Sequence, residues 1–240
     1  SDHGHSTIIS IIDVEAMLRE AGFPTGDQIG GVAVASNGGS VLFYTHNSDR
    51  ATADNLASWL MAQPWCGAIV ASDAMASIPG TLPAYLVGNE GPRAPELAMS
   101  FRWESTPNEV GIPGLSYSSS GSPGLGEHGS MSRSDMRNVL FARGPSFKRG
   151  VVIDAPTGAI DLAPTVLRIL AIPSDNPMDG RSLEEALNSG PNIHSVEWST
   201  NVHTAERSVG NGVYRQQITV SHVGSTMYVD SGQASLGSNS

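Results

Sequence analysis

Cysteine is nearly absent: Cys66 is the only one in 240 residues. A lone thiol excludes an intrachain disulfide and a thiolate zinc cage. It sits in the apolar run Trp65-Cys66-Gly67-Ala68-Ile69-Val70 and reads as a buried structural residue. Long hydrophobic runs are lacking too, and none reaches the length of a membrane span. Aromatic residues make up only 6 % of the chain, and they form no stripe on which single-stranded nucleic acid would stack. Basic residues are scarce, with 13 Lys plus Arg against 23 Asp plus Glu and a formal charge of −10. Such a balance does not supply the basic surface that general nucleic-acid or anionic-membrane binding uses. An anionic substrate stays compatible where a bound metal brings local positive charge. No signal peptide is visible, and the compartment stays open.

What is present suits a protein with a sizeable core: 39 % hydrophobic and 15 % charged residues. Ser6 to Ile12 is rich in β-branched residues. Asp13 then caps a helix from Val14 to Ala21, with Gly22 just beyond its end. Gly31–Ser36 and Val41–His46 read as strands around the turn Asn37-Gly38-Gly39. Asp49 to Gln63 is an amphipathic helix with Ala53, Leu56, Ala57, Leu60 and Met61 on one face. Strand-like runs follow at Cys66–Ala71 and Glu96–Trp103. The stretch from Thr106 to Gly126, dense in Pro, Gly and Ser, reads as an irregular loop, either a linker or a mobile loop beside a site. Val139–Ala142 reads as a buried strand. Asp161 caps the helix Leu162–Leu170, and a short helix runs from Ser182 to Leu187. Tyr214–Ser221 and Thr226–Val229 form a hairpin about Gly224, and the small polar tail from Ser231 reads as disordered.

Two short motifs carry chemistry. In Ser1-Asp2-His3-Gly4, Asp2 offers anionic oxygen and His3 neutral nitrogen, a pairing that suits a divalent cation such as Zn²⁺. Gly4 gives the backbone freedom for both to reach one ion, since neighbours on a regular strand point to opposite faces. Gly126-Glu127-His128-Gly129 places a second histidine in a glycine turn. Either motif alone matches many proteins by chance. Their order and company narrow the field. Ser134-Asp135-Met136-Arg137, Phe141-Ala142-Arg143-Gly144-Pro145, Ile160-Asp161-Leu162-Ala163-Pro164-Thr165 and Met178-Asp179-Gly180-Arg181-Ser182-Leu183 follow in turn.

Taken together, these motifs resemble the alkaline phosphatase superfamily, and most closely its type I phosphodiesterase/nucleotide pyrophosphatase branch. The likeness is dense from Glu127 to Leu187, sharp at the first four residues and loose between them. It implies an α/β fold: an alkaline-phosphatase-like core of mostly parallel sheet flanked by helices, with an inserted α/β subdomain. By that reading residues 1–24 and 106–190 form the core, 25–105 the insertion, and 191–240 a hairpin extension with its tail. The resemblance implies two divalent metal ions, zinc first among them. Asp2 and His3 bind one ion, and His128 binds the other. Glu127 and His5 flank these ligands and either orient an imidazole or stay solvated. The family often has an apolar residue at position 5, and many relatives carry Tyr-Asp-Asn where this chain has Ser130-Met131-Ser132.

In the family an aspartate, the Thr or Ser nucleophile and an Asp-x-x-x-His pair all precede Asp-His-Gly. The expectation is therefore a chain incomplete at its N-terminus, with an exposed sheet edge, weak metal binding and no turnover on its own. The implied reaction is hydrolysis of phosphodiester or pyrophosphate bonds through a covalent intermediate, on a small phosphate ester or nucleotide. Phosphomonoesterase, phosphonate hydrolase and sulfatase activities share the scaffold and stay open, as does a non-catalytic relative. Arg143, Lys148 and Arg149 read as solvated surface.

Overall fold

A computed structural model describes residues 1–238 of the chain. The first half runs β1 (Ser6–Ile11), α1 (Val14–Glu20), β2 (Val32–Asn37), β3 (Ser40–Thr45), α2 (Arg50–Met61), β4 (Cys66–Ala71), β5 (Leu82–Pro83), β6 (Leu97–Phe101), β7 (Trp103–Pro107) and β8 (Pro113–Ser118). It continues through β9 (Gly126–Glu127), α3 (Arg133–Met136), α4 (Leu162–Leu170), β10 (Ser199–Val209), β11 (Gly212–Val223) and β12 (Thr226–Ser238). The residues cluster into two compact units. The larger holds His3–Asn138, Val202–Ile218 and Asp230 onward, and the smaller holds Ser1–Asp2, Val139–Asn201 and Thr219–Val229.

The expected parallel α/β core is not what forms. Strand accounts for 35 % of the chain and helix for 22 %, in three small mixed or antiparallel sheets. Their orders are β7-β8-β1-β9, β2-β3-β6-β4-β5 and β10-β11-β12. The physical reason lies in the connections. A parallel pair needs a crossover of a dozen or more residues, whereas two-residue turns fold the chain straight back. Gly38-Gly39 sets β2 antiparallel to β3, with Asn37 opposite Ser40. The links β10–β11 and β11–β12 are equally short, and Gly210 (φ 54°) and Gly224 (φ 59°) take left-handed backbone there. Among the described pairings, β1 with β8 and β4 with β5 are the parallel ones.

In the larger unit local signals place the helices. Asp13 Oδ1 accepts from the Ala16 amide at 2.9 Å, and Asp49 Oδ2 from the Thr52 amide at 3.0 Å. Each satisfies a first-turn donor that the helix itself leaves open. On α2, Ala53, Leu56, Ala57, Leu60 and Met61 are buried, the spacing of a single helical face. They join Leu18, Val41, Phe43, Ile69, Met99, Phe101 and Tyr214 in one core. Every residue of β4 is buried, so its neighbours must satisfy its backbone from both sides. Gln216 does part of this. Its Oε1 accepts from the Ile69 amide at 2.8 Å and its Nε2 donates to the Ile69 carbonyl at 2.9 Å, as a neighbouring strand would. The Tyr214 hydroxyl donates to the Gly67 carbonyl at 2.6 Å. Cys66 is buried, and burial raises its thiol pKa far above the ordinary value, so it stays protonated.

Several local expectations are corrected. The Pro/Gly/Ser-rich stretch contains β8, which pairs with β1. Val139–Ala142 forms no strand, and Phe141 is 91 % exposed. The short helix before Leu187 is a 3-10 turn at Glu184–Ala186. The tail from Ser231 is ordered in β12 as far as Ser238, and residues 239–240 lie outside the described residues. Asp161 stands at the N-cap position of α4 but makes no side-chain cap there. Among the described residues no helix is long and apolar enough to cross a membrane.

Candidate metal centre

The register of β1 against β9 builds the site. Ser6 lies opposite Glu127 and Thr7 opposite Gly126 in an antiparallel pair. One step further along that register His5 faces His128, and alternate residues of a strand share a face. His3, His5 and His128 accordingly meet. The rings of His3 and His128 stack, with centroids 3.8 Å apart and planes 20° from parallel. His5 presents an edge to both, at 5.0 Å from His3 and 5.7 Å from His128.

Neighbouring residues fix the imidazoles in different ways. His3 Nδ1 lies 2.9 Å from the Gly4 carbonyl. A carbonyl only accepts, so Nδ1 is the donor in this contact. A metal-bound histidine commonly gives its other nitrogen to a carbonyl or carboxylate in this way. His128 is held through its backbone. Its amide donates to Glu127 Oε1 at 2.9 Å, and its carbonyl accepts from the Gly39 amide at 2.8 Å. The Ser120 hydroxyl donates to Glu127 Oε2 at 3.1 Å. Glu127 thus acts on His128 through the main chain. Gly129 (φ 94°) completes the turn, and a side chain there would meet the Asn37 carbonyl at 2.9 Å.

Close to His128 lies Asp135, a residue of the motif Ser134-Asp135-Met136-Arg137 to which the sequence assigned no role of its own. Asp135 is 4 % exposed. Its Oδ1 accepts from the Ser6 hydroxyl at 2.6 Å, and its Oδ2 accepts from the Ser130 hydroxyl at 2.6 Å and the Ser130 amide at 3.0 Å. Its carbonyl accepts from the Gly4 amide at 2.8 Å, tying α3 to the start of β1. The spacing Ser132-x-x-Asp135 is the signal that was available, a helix-start pattern like a capping box. Ser132 does cap α3, accepting from the Ser134 amide at 3.1 Å.

Burial pushes the Asp135 carboxyl above the ordinary carboxylate value, and the Ser130, Ser6 and His128 interactions only partly offset it. The native state therefore holds this proton more tightly than the unfolded chain does. Stability from this group is greatest at low pH and falls as pH rises from the ordinary 3.8 through the raised value. A carboxyl-carbon NMR titration is expected to give a midpoint above 3.8, moving higher still in Ser130→Ala. A midpoint at or below the ordinary value would contradict this account.

The structure thus brings His3, His5 and His128 together and seats Glu127 beside them. Asp2 is exposed and belongs to the smaller unit. Among the described residues, no three or more His, Cys, Asp or Glu side chains form a group able to hold a metal ion. The stacking explains this. Imidazole lone pairs lie in the ring plane, so two near-parallel rings direct them side by side and do not converge on a single point. The chain matches no protein-family model, no curated protein and no solved structure.

Proposed function

We propose that this chain contributes to a divalent-metal-dependent hydrolase of phosphodiester or pyrophosphate bonds, in which His3 and His128 each serve a different ion. One observation carries the reading: rings 125 positions apart in the chain stack at 3.8 Å, nearly parallel. Stacked imidazoles suit two ions side by side, and two-metal hydrolase sites hold their ions roughly 3.5–4 Å apart. His3, with Nδ1 turned to the Gly4 carbonyl, would ligate through its other ring nitrogen. By the family resemblance alone, Asp2, next in the motif, would be the carboxylate partner of His3. The donor set of imidazole nitrogen and carboxylate oxygen fits zinc.

When bound, such a pair of ions would supply a lowered pKa for an attacking hydroxyl and charge stabilisation at phosphorus. The protein's own part is placement. Gly4 and Asp135 anchor the strand that carries His3, while Glu127 and Gly39 anchor His128. By the family resemblance, a Thr or Ser nucleophile and further ligands complete such a site, and no residue of this chain is assigned to those roles.

The test is a Zn²⁺ titration of the chain followed by the NMR signals of its histidine rings. His3 and His128 are expected to shift with separate saturation curves. His128→Ala should remove one binding event and leave the His3 response, so zinc bound at saturation falls from about two ions per chain to about one. Shifts of both rings with a single ion, or of neither, would refute the assignment. In any form of the protein that turns over, an aryl phosphodiester should be cleaved faster than the monoester, in a zinc-dependent manner. A chelator-resistant rate would refute the chemistry.

A further inference from the structure

The smaller unit carries a feature unrelated to the histidines. A cavity of about 320 Å³ opens between the segment Leu140–Ile153 and α4. Leu140, Phe147, Val152, Leu162, Val166 and Leu183 are among its walls. Its mouth is apolar as well, since Phe141 is 91 % exposed and Val152 78 % exposed. Along α4, Leu162, Val166 and Leu170 are all exposed at four-residue spacing, one stripe of a helix turned to solvent. Apolar surface gathered in this way marks a binding site more often than scattered exposed residues do.

The charges around the cavity say what kind of ligand it suits. From Val139 to Ile153 there is no acidic residue, while Arg143, Lys148 and Arg149 are present. This stands out in a chain of net charge −10. Exposed Asp154 comes next, and Asp161, Glu184 and Glu185, which also adjoin wall residues, are engaged by Tyr228, Arg168 and Arg181. Lys148 is already engaged, its ammonium donating to the carbonyls of Glu185 at 2.9 Å, Gly190 at 3.4 Å and Pro191. Thr165, also in the wall, has its hydroxyl oxygen taken by the Leu183 amide at 3.0 Å. Lys148 therefore has little to offer a ligand inside, and Thr165 keeps only its hydroxyl proton to donate. Arg143 and Arg149 are exposed and have no hydrogen-bond or ion-pair partner among the described residues. Each is the chain neighbour of a wall residue, Ala142 and Lys148.

We infer that this cavity binds a single-chain anionic amphiphile of the fatty-acid type, its tail in the cavity and its carboxylate on Arg143 and Arg149. The volume lies at the small end of ligand pockets, roughly 300–1,000 Å³, which suits one linear chain and not a fused-ring lipid. Two guanidiniums can each present paired donors to a carboxylate. A flat anionic membrane would meet the same charges but would leave the concave part unfilled. A second copy docking through this face would set arginine against arginine. The free amphiphile fits both the shape and the charge.

The test is calorimetric titration of the full chain with dodecanoate below its micelle concentration. One dodecanoate per chain is expected, with dodecyltrimethylammonium, the same tail under a cation, binding at least roughly tenfold more weakly. The double variant Arg143→Gln/Arg149→Gln should also lose roughly tenfold or more, since a charge-assisted contact is removed at each position. Val152→Glu, at a solvent-exposed site where folding is expected to survive, should weaken dodecanoate as well, with circular dichroism confirming the fold. Equal binding of the cationic analogue, affinity unchanged in the double variant, or no saturable binding would each overturn the inference. So would binding only to vesicles of phosphatidylglycerol and phosphatidylcholine, which would make the face a membrane contact.

Discussion

Asp161→Ala is expected to destabilise the smaller unit by about 3–5 kcal/mol, the range for breaking one member of a buried ionic network. Asp161 is fully buried, and its carboxylate serves three donors. It accepts from the Gly158 amide at 2.9 Å, the Arg181 amide at 2.8 Å and the Tyr228 hydroxyl at 2.9 Å. Alanine leaves all three without a partner, and an orphaned buried donor costs about 1–3 kcal/mol each. Arg181 would remain paired, since it forks onto Glu185 at 2.7 and 3.0 Å. Its Nε also donates to the Tyr228 hydroxyl at 3.1 Å, so the loss propagates to that ring. Asp161→Asn should cost less, because one oxygen is kept and the hydroxyl of Tyr228 can turn to accept. Urea unfolding at neutral pH measures the difference, and a loss below about 1 kcal/mol would mean that the network relaxes or takes up water.

Tyr228 gives a second readout of the same network. Burial first, and then the Asp161 carboxylate, raise its phenol pKa well above 10. The native state thus holds the phenolic proton more tightly than the unfolded chain, so stability is expected to decline as pH rises past 10. In Asp161→Asn the phenol should ionise at lower pH, followed by ultraviolet absorbance. An unmoved titration would place the cause of the shift elsewhere.

How much of this was legible depended on distance along the chain. Asp13 was readable as a cap because a cap acts within three residues, and the α2 stripe because its partner is the whole core; Asp49, read as the first helical residue, proves to be the cap itself. The turn at Gly38-Gly39 announced its hairpin for the same local reason. Asp161 was readable as a helix start, but not as a partner of Tyr228, which lies 67 positions away. β8 was hidden by its composition. Pro113 stands at its first residue, where a missing donor is tolerated, and its buried positions are Gly114, Ser116 and Ser118, none of them a typical strand former. Pairing with β1 overrides the weak strand propensity of such a run. Val139–Ala142 fails in the opposite way: its β-rich composition promised a strand, yet no neighbouring strand pairs with it among the described residues. The parallel core was an inference from motifs, and motifs carry no information on which strands pair. The histidine site lies between these cases. The motifs named His3 and His128, but only the β1–β9 register explains why His5 joins them.

Gly4→Ala is expected to cost about 3 kcal/mol and to disperse the histidine cluster at the same time. A Cβ at Gly4 would fall on the Ser134 carbonyl oxygen, 2.6 Å from the Arg137 carbonyl oxygen and 3.0 Å from the Ser134 carbonyl carbon. All three are backbone atoms of α3 and its C-cap, so no side-chain rotation relieves the clash. Overpacking of this kind typically costs about 1–3 kcal/mol, and a clash against backbone lies at the upper end. The strand and α3 must move apart, which stretches the bond from the Gly4 amide to the Asp135 carbonyl and the bond from Ser6 to the Asp135 carboxylate. Two spectroscopic consequences follow. The His3 and His128 ring signals should lose the mutual shielding of stacked rings, and the Asp135 titration should fall back toward 3.8 as its burial is lost. Gly22→Ala is the control. Gly22 has φ 88° with open space around its Cβ position, so it should cost about 1–2 kcal/mol of backbone strain and leave both signals in place. If Gly4→Ala behaves like Gly22→Ala, the glycine of Asp-His-Gly is not the residue that lets α3 approach the strand. If the histidine and Asp135 signals move together, the same close contact governs both the fold and the spacing of the two imidazoles.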